Sequence, residues 1–261
     1  MPEQNKNKNV ISKYQGEKNP DKEILKLGRK ITDVVAHKLK GLTSNDPEYW
    51  GLREVITHEE AVVLNKMKLR KFYTIEELIK MNKNIEPAKL QKMFDEMSVK
   101  GIVEYDYGDH YTDEGPIKDA PHIKRYRICF FVPGSAELFN STRKQINDNP
   151  PVASFFERMT FIPLAGITQM VPPGGDGIGM HVIPVEKAVD FENKAIKLER
   201  ISYWLKKYDG HISAGTCSCR LSRAKLEEGC ADDGDDWCVQ VGDMADYCVE
   251  TGRSHYITTE E

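Results

Sequence analysis

The chain has no run of about eighteen apolar residues, so it lacks the simplest signature of a membrane-spanning helix. Its first twenty residues, MPEQNKNKNVISKYQGEKNP, hold no apolar core of the kind a secretory signal needs. Residues 1–20 are expected to form a flexible polar segment, and the protein is expected in the cytoplasm. An excess of positive charge is missing as well. With 37 Lys and Arg against 41 Asp and Glu, the net charge of −4 supplies no global field for nucleic acid. No nucleotide fingerprint, no nucleophile beside a base and no acid/base pair stands out, so substrate chemistry is expected on partners or on a missing C-terminal portion. Cysteine is scarce, with six residues in 261. Without a secretory signal, that number argues for reduced thiols or metal ligation rather than a disulfide frame.

Four of those six cysteines crowd into one short stretch: Cys217 and Cys219 in GTCSCR, then Cys230 and Cys238. Thiolate selects zinc or iron-sulfur clusters, and four thiolates complete either the tetrahedral valence of zinc or the corners of a cubane. One residue separates the first pair, ten the second and third, and seven the third and fourth. That first gap is tighter than the roughly two-to-four-residue gap of most zinc knuckles, which disfavours zinc and leaves it as the alternative occupant. Helix formers from Ser222 to Glu228 end at Gly229, so a helix is expected to carry the chain from the first pair to Cys230. The loop ADDGDDW, with Asp232, Asp233, Asp235 and Asp236 around Gly234, has the composition of a turn that returns Cys238 to the site. It does not meet the calcium-loop pattern. Beyond Cys238, Val241, Met244, Ala245 and Cys248 recur at helical steps up to Gly252, which predicts one amphipathic helix with Cys248 on its buried face. Cys129, in the apolar run RICFFV, reads as a core residue for the same reason.

The segment GTCSCR, a helix, Cys230, a short loop and WCVQVGDMADYCVETGRSHYIT resembles part of the anaerobic iron-sulfur oxidoreductases. Cys217, Cys219, Arg220, Cys230, Cys238, Val239, Gly242 and Gly252 occupy the places of that family's repeated pattern. The resemblance implies one [4Fe-4S] cluster held by Cys217, Cys219, Cys230 and Cys238, with redox proteins or other subunits of an oxidoreductase as partners. It also implies that flavin or NAD(P) chemistry belongs to a partner or a missing segment. Members commonly continue into ferredoxin-like or reductase modules, so a chain ending at Glu261 is expected to be a subunit or portion of a larger enzyme.

The N-terminal half carries three successive helical patterns: Glu59 to Lys68, Thr74 to Met81 and Glu86 to Val99. The middle one opens with a capping box, Thr74 to Glu77. IVEYDYGDHYTD then predicts a hairpin turning at Gly108-Asp109, ahead of the strand-like KRYRICFFVP. Helices followed by a hairpin suggest a winged helix, in which Lys89, Lys92 and Lys100 are the candidate phosphate contacts. Glu86, Asp95 and Glu96 on the same helix, and Glu104, Asp106 and Asp109 beyond it, would repel phosphate, so a docking role is preferred to DNA binding. A metal- or redox-sensing winged-helix regulator and a structural zinc module remain the rival readings.

Between these parts, Asn149-Pro150-Pro151 is expected to break one helix from another at Val152 to Arg158. The glycines 174, 175, 177 and 179 precede a strand-like MHVIPV and read as a turn rather than a phosphate loop. His181 and His211 read as hydrogen-bonded or surface residues. Ile201 to Tyr208 is expected to form a helix whose Ile201, Trp204, Leu205 and Tyr208 cover the cluster. The expected architecture is α+β: residues 21–132 helical and winged-helix-like, 133–200 a mixed connection, and 201–261 the cluster-binding domain.

Overall fold

The computed structural model describes residues 10–31, 41–108, 110–112, 114–130, 134–161, 201–229 and 234–261. Within them the chain is a mixture of helices and three small sheets, the α+β class expected from the sequence. The glycine loop at 174–179, the MHVIPV segment and His181 lie outside the described residues, as do Cys230 and Asp109.

Helix α1 (Lys22–Ile31) packs across α2 (Pro47–Val55) and α3 (His58–Lys66), burying Ile24, Leu27 and Ile31. Then come β1 (Tyr73–Thr74), α4 (Ile75–Met81), α5 (Pro87–Lys100), β2 (Val103–Asp106), the short ladder of β3 (Tyr111–Thr112) and β4 (Gly115–Pro116), and β5 (Arg125–Ile128). The sheet order is β1-β5-β2, with α4 packed against β1 and α5 against β2.

Capping explains where the helices begin. Thr74 and Glu77 form the expected box, and Thr57 and Glu60 form a second one at the start of α3. In each, a threonine hydroxyl takes an otherwise orphaned amide while the glutamate reaches back to the threonine N–H. Thr57→Ala is expected to lower stability by about 1 kcal/mol, and Thr57→Ser to keep most of it, read as the midpoint of urea unfolding. Helix α5 places Leu90, Met93, Phe94 and Met97 on one buried stripe, and Gly101 (φ 89°) ends it in the left-handed region.

The expected hairpin turning at Gly108-Asp109 is corrected by the strand pairing. Val103, Glu104, Tyr105 and Asp106 stand opposite Ile128, Arg127, Tyr126 and Arg125, across an intervening wing. Charge and volume decide this register. Arg127 Nε lies 2.5 Å from Glu104, and Arg125 grips Asp106 with two contacts of 2.8 and 2.7 Å. Tyr105 and Tyr126 meet edge to face and pack toward Phe94.

Beyond β5, short helices α6 (Ala136–Phe139), α7 (Arg143–Asp148) and α8 (Pro151–Phe156) lead into a π-turn, Glu157–Phe161. The break between α7 and α8 falls at the expected Asn149-Pro150-Pro151. Helix α9 (Ile201–Lys207), β6 (Ile212–Gly215), α10 (Ser218–Lys225), β7 (Cys238–Val241), α11 (Asp243–Glu250) and β8 (Ser254–Tyr256) complete the described elements. The last sheet has the order β7-β6-β8, with α11 packed on it.

One apolar core runs from α1 to α11. Tyr247 of α11 is fully buried and donates to the carbonyls of Ser98 and Val103, while Tyr105 and Tyr107 both donate to Glu250. The N-terminal sheet is thus bonded to α11, which also packs on the last sheet.

Candidate metal centre

Strand β6 runs to Gly215, one residue intervenes, and Cys217 becomes the N-cap of α10, with Cys219 in its first turn. Strand β7 starts at Cys238, which pairs directly with Gly215. The ladder therefore brings Cys238 beside a chain segment that holds Cys217 two residues later. The turn is fastened by Cys217 N–H donating to Gly234 O at 2.9 Å. Gly234 has φ 66°, and a Cβ there would stand 3.2 Å from Cys217 Cβ and 2.6 Å from Arg220 Cδ, so glycine is required on both counts.

Cys217 lies close enough to Cys219 and Cys238 to raise both of their thiols, while the backbone amide of Ser218 favours the anionic form of Cys238. Three of the four predicted ligands, drawn from a helix cap, a helix turn and a strand, thus lie in one neighbourhood. All three are half-buried and free of disulfides. Burial first, and then the neighbouring Cys217, push the Cys219 thiol up to about 11 and that of Cys238 up to about 12. The N-terminus of α10 favours anionic sulfur, yet burial and mutual repulsion outweigh it. A thiol-loving cation would reverse that balance by pairing with the thiolates. In donor chemistry the set suits a soft metal.

Cys230 lies outside the described residues, and among the described residues no three His, Cys, Asp or Glu side chains stand in an arrangement that could hold a metal ion. The described part is Cys217 with Cys219 and Cys238 near it, short of a formed metal site.

Three local expectations are corrected. Helix α10 begins at Ser218, not Ser222, so Cys219 is a helical residue and Cys217 its cap. The stretch after Cys238 is a strand up to Val241 before Gly242 (φ 64°) turns it into α11. Pairing of Val239 and Val241 with Ala214 and Ile212 overrides the helical spacing of the apolar residues. Helix α9 buries Tyr203 rather than Trp204, and Tyr208 just beyond it meets Tyr111 of the wing at 4.8 Å. Its described ring contacts therefore point to the wing, not to the cysteines.

Cys129 and Cys248 are buried in the core as expected, their thiols pushed up by desolvation. His211 sits at the opposite end of β6 from Gly215, on the order of 13 Å along the strand. Its Nδ1 meets Asp246 at 2.8 Å, and Asp246 also accepts from Tyr256. The Arg220 guanidinium stacks 3.9 Å over the Trp237 ring, an arrangement the sequence reading did not foresee although Trp237 directly precedes a predicted ligand. Asp235 accepts from Arg143 of α7 and from Thr216, which ties the acidic loop to the helices beside it.

Comparison with protein-family models, curated proteins and solved structures found no match. The reading of this centre therefore rests on its own chemistry. Among the described residues, no helix is long and apolar enough to cross a membrane.

Proposed function

We propose that this protein carries electrons through one [4Fe-4S] cluster held by Cys217, Cys219, Cys230 and Cys238, as a subunit or portion of a larger anaerobic oxidoreductase in the cytoplasm. The observation that supports the reading is the strand register that sets Cys238 opposite Gly215, two residues before Cys217 at the cap of α10 and four before Cys219 in its first turn. When bound, a cluster of this type supplies one-electron oxidation and reduction.

The chain's own groups bind and tune. The Ser218 amide aimed at the Cys238 sulfur stabilises negative charge there, which favours the reduced state. Cys219 packs against the apolar core to which Leu221 and Leu226 belong, which limits water on that side. Redox proteins or sister subunits supply donor and acceptor, and any flavin or NAD(P) belongs to them.

A winged-helix regulator is the second reading, favoured by the strand order of the N-terminal half. The engagement of its three candidate phosphate-binding lysines places it second. Lys89 pairs with Glu59 at 2.6 Å, Lys100 with Glu60 at 2.7 Å, and Lys92 with Glu96 at 3.7 Å.

Iron, acid-labile sulfide and zinc are to be measured on anaerobically purified protein, with visible spectra before and after dithionite. The expected result is about four irons and four sulfides per chain with a bleachable brown band. Zinc near one per chain, without colour and resistant to reconstitution with iron and sulfide, would replace electron transfer with a structural or regulatory role.

A further inference from the structure

The chain returns to Cys238 through Gly234 to Trp237, and this limb is fastened to α10 and its cap along its whole length. Cys217 N–H donates to Gly234 O at 2.9 Å, and the Thr216 hydroxyl donates to Asp235 at 3.2 Å. The stem of Arg220 lies against Gly234, where an added Cβ would stand 2.6 Å from its Cδ and 3.0 Å from its Cβ. Its guanidinium then reaches the Trp237 ring, 3.9 Å from the centroid. One side chain of α10 thus spans the limb from its first described residue to the residue before Cys238.

Core packing does not account for the Trp237 ring, which is 58% exposed and takes no part in the apolar core. What an exposed indole offers here is a flat, electron-rich face for a cation. The places of the two residues in the chain give the contact its consequence. Arg220 follows Cys219 and Trp237 precedes Cys238, so the stack joins the immediate neighbours of two predicted ligands, one on a helix and one on a strand.

From this we infer that Arg220 and Trp237 are positioning residues, whose stack closes the return limb on α10 and keeps Cys238 near Cys217 and Cys219 before a metal arrives. The inference rests on the reading of these cysteines as a metal centre. Ligands held in place beforehand lose less conformational freedom when the metal binds, so the stack acts on affinity without touching the metal.

The test is binding of cadmium(II), a thiol-loving ion, to the reduced, metal-free full chain. Thiolate-to-metal charge-transfer absorbance follows the binding, and a competing chelator sets the scale of affinity. Trp237→Leu is expected to weaken binding about two- to fivefold, the effect of losing one exposed cation–π contact. Trp237→Phe, which keeps an aromatic face, should recover part of the loss. Arg220→Leu keeps an apolar stem over Gly234 and removes the cation, and it should weaken binding to a similar degree. The double variant Arg220→Leu with Trp237→Leu should bind little worse than either single one, because each change already removes the same contact. Unchanged affinity in Trp237→Leu, even where urea unfolding of the metal-free chain shows lower stability, would overturn the positioning role while leaving the metal centre standing. Fully additive losses in the double variant would do the same. A wild-type chain that gives no charge-transfer band would overturn the metal centre and the positioning role together.

Discussion

Cys238→Ser is expected to bring bound iron and sulfide from about four each per chain to background, with loss of the brown band. The change is nearly isosteric and keeps the strand. Residue 238 opens β7, where its backbone pairs with Gly215, and nothing in that ladder depends on sulfur. What disappears is a thiolate, and a serine hydroxyl remains protonated where a soft metal demands an anionic sulfur. Cys217→Ser and Cys219→Ser should behave alike. Cys230→Ser completes the set. Cys129→Ser and Cys248→Ala provide the contrast, since both residues lie in the apolar core with thiols held protonated by burial. They should retain the full metal content while losing about 1–2 kcal/mol of stability through a buried hydroxyl or a small cavity. Full iron in any one of the four ligand variants would remove that cysteine from the centre.

The core placement of Cys129 and Cys248 was legible in the sequence, because the apolar pattern around each marks it. Helices with strong end signals were legible too. Thr74 with Glu77 announces the start of α4, and Gly101 follows the apolar stripe of α5. The strand partner of β2 was harder to find. Gly108-Asp109 is a strong local turn signal, yet it competes with two cross-strand ion pairs that become visible only when VEYD is laid against RYRI in reverse. Long-range charge matching prevailed over local turn chemistry. At the cysteines, the start of α10 was hidden for a different reason. Serine and cysteine are indifferent helix formers, so the composition of SCR gives no sign that α10 begins at Ser218. Strand β7 was hidden by Val241, whose spacing to Met244 and Ala245 continues a helical pattern across Gly242.

The same long-range bonding ties the two halves together, and it gives a role to the N-terminal sheet in a protein whose candidate phosphate-binding lysines are engaged by glutamates. The wing side of the sheet presents Tyr105 and Tyr107 to Glu250, with Lys124 3.7 Å above the Tyr105 ring. Tyr247 packs its ring on Tyr105 and sends its hydroxyl to the end of α5 and the start of β2. The surface of the N-terminal sheet is thus used internally, to hold α11 and through it the strand that carries Cys238.

Arg253→Ala is expected to be among the most destabilising single changes in the C-terminal part, lowering unfolding free energy by about 3 kcal/mol. Arg253 is buried, and its guanidinium stabilises two helix ends at once. Nη2 donates to Val99 O in the last turn of α5 at 2.6 Å and to Leu138 O in α6 at 3.4 Å, while Nε donates to Ser141 Oγ at 2.9 Å. The carbonyls at the end of a helix lack intrahelical donors and carry its negative pole, so a cation there satisfies both needs. Truncation leaves those acceptors buried without their donor and opens a void beside Tyr247, whose ring lies 5.4 Å from the guanidinium. Arg253→Lys should recover only part of the loss, because an ammonium cannot reproduce the planar fork that reaches Val99 and Ser141 from different nitrogens. Urea unfolding of the two variants, followed by far-ultraviolet circular dichroism, measures both effects. A loss below about 1 kcal/mol in Arg253→Ala would mean that water replaces the guanidinium at these carbonyls and that the junction is held by the tyrosines alone.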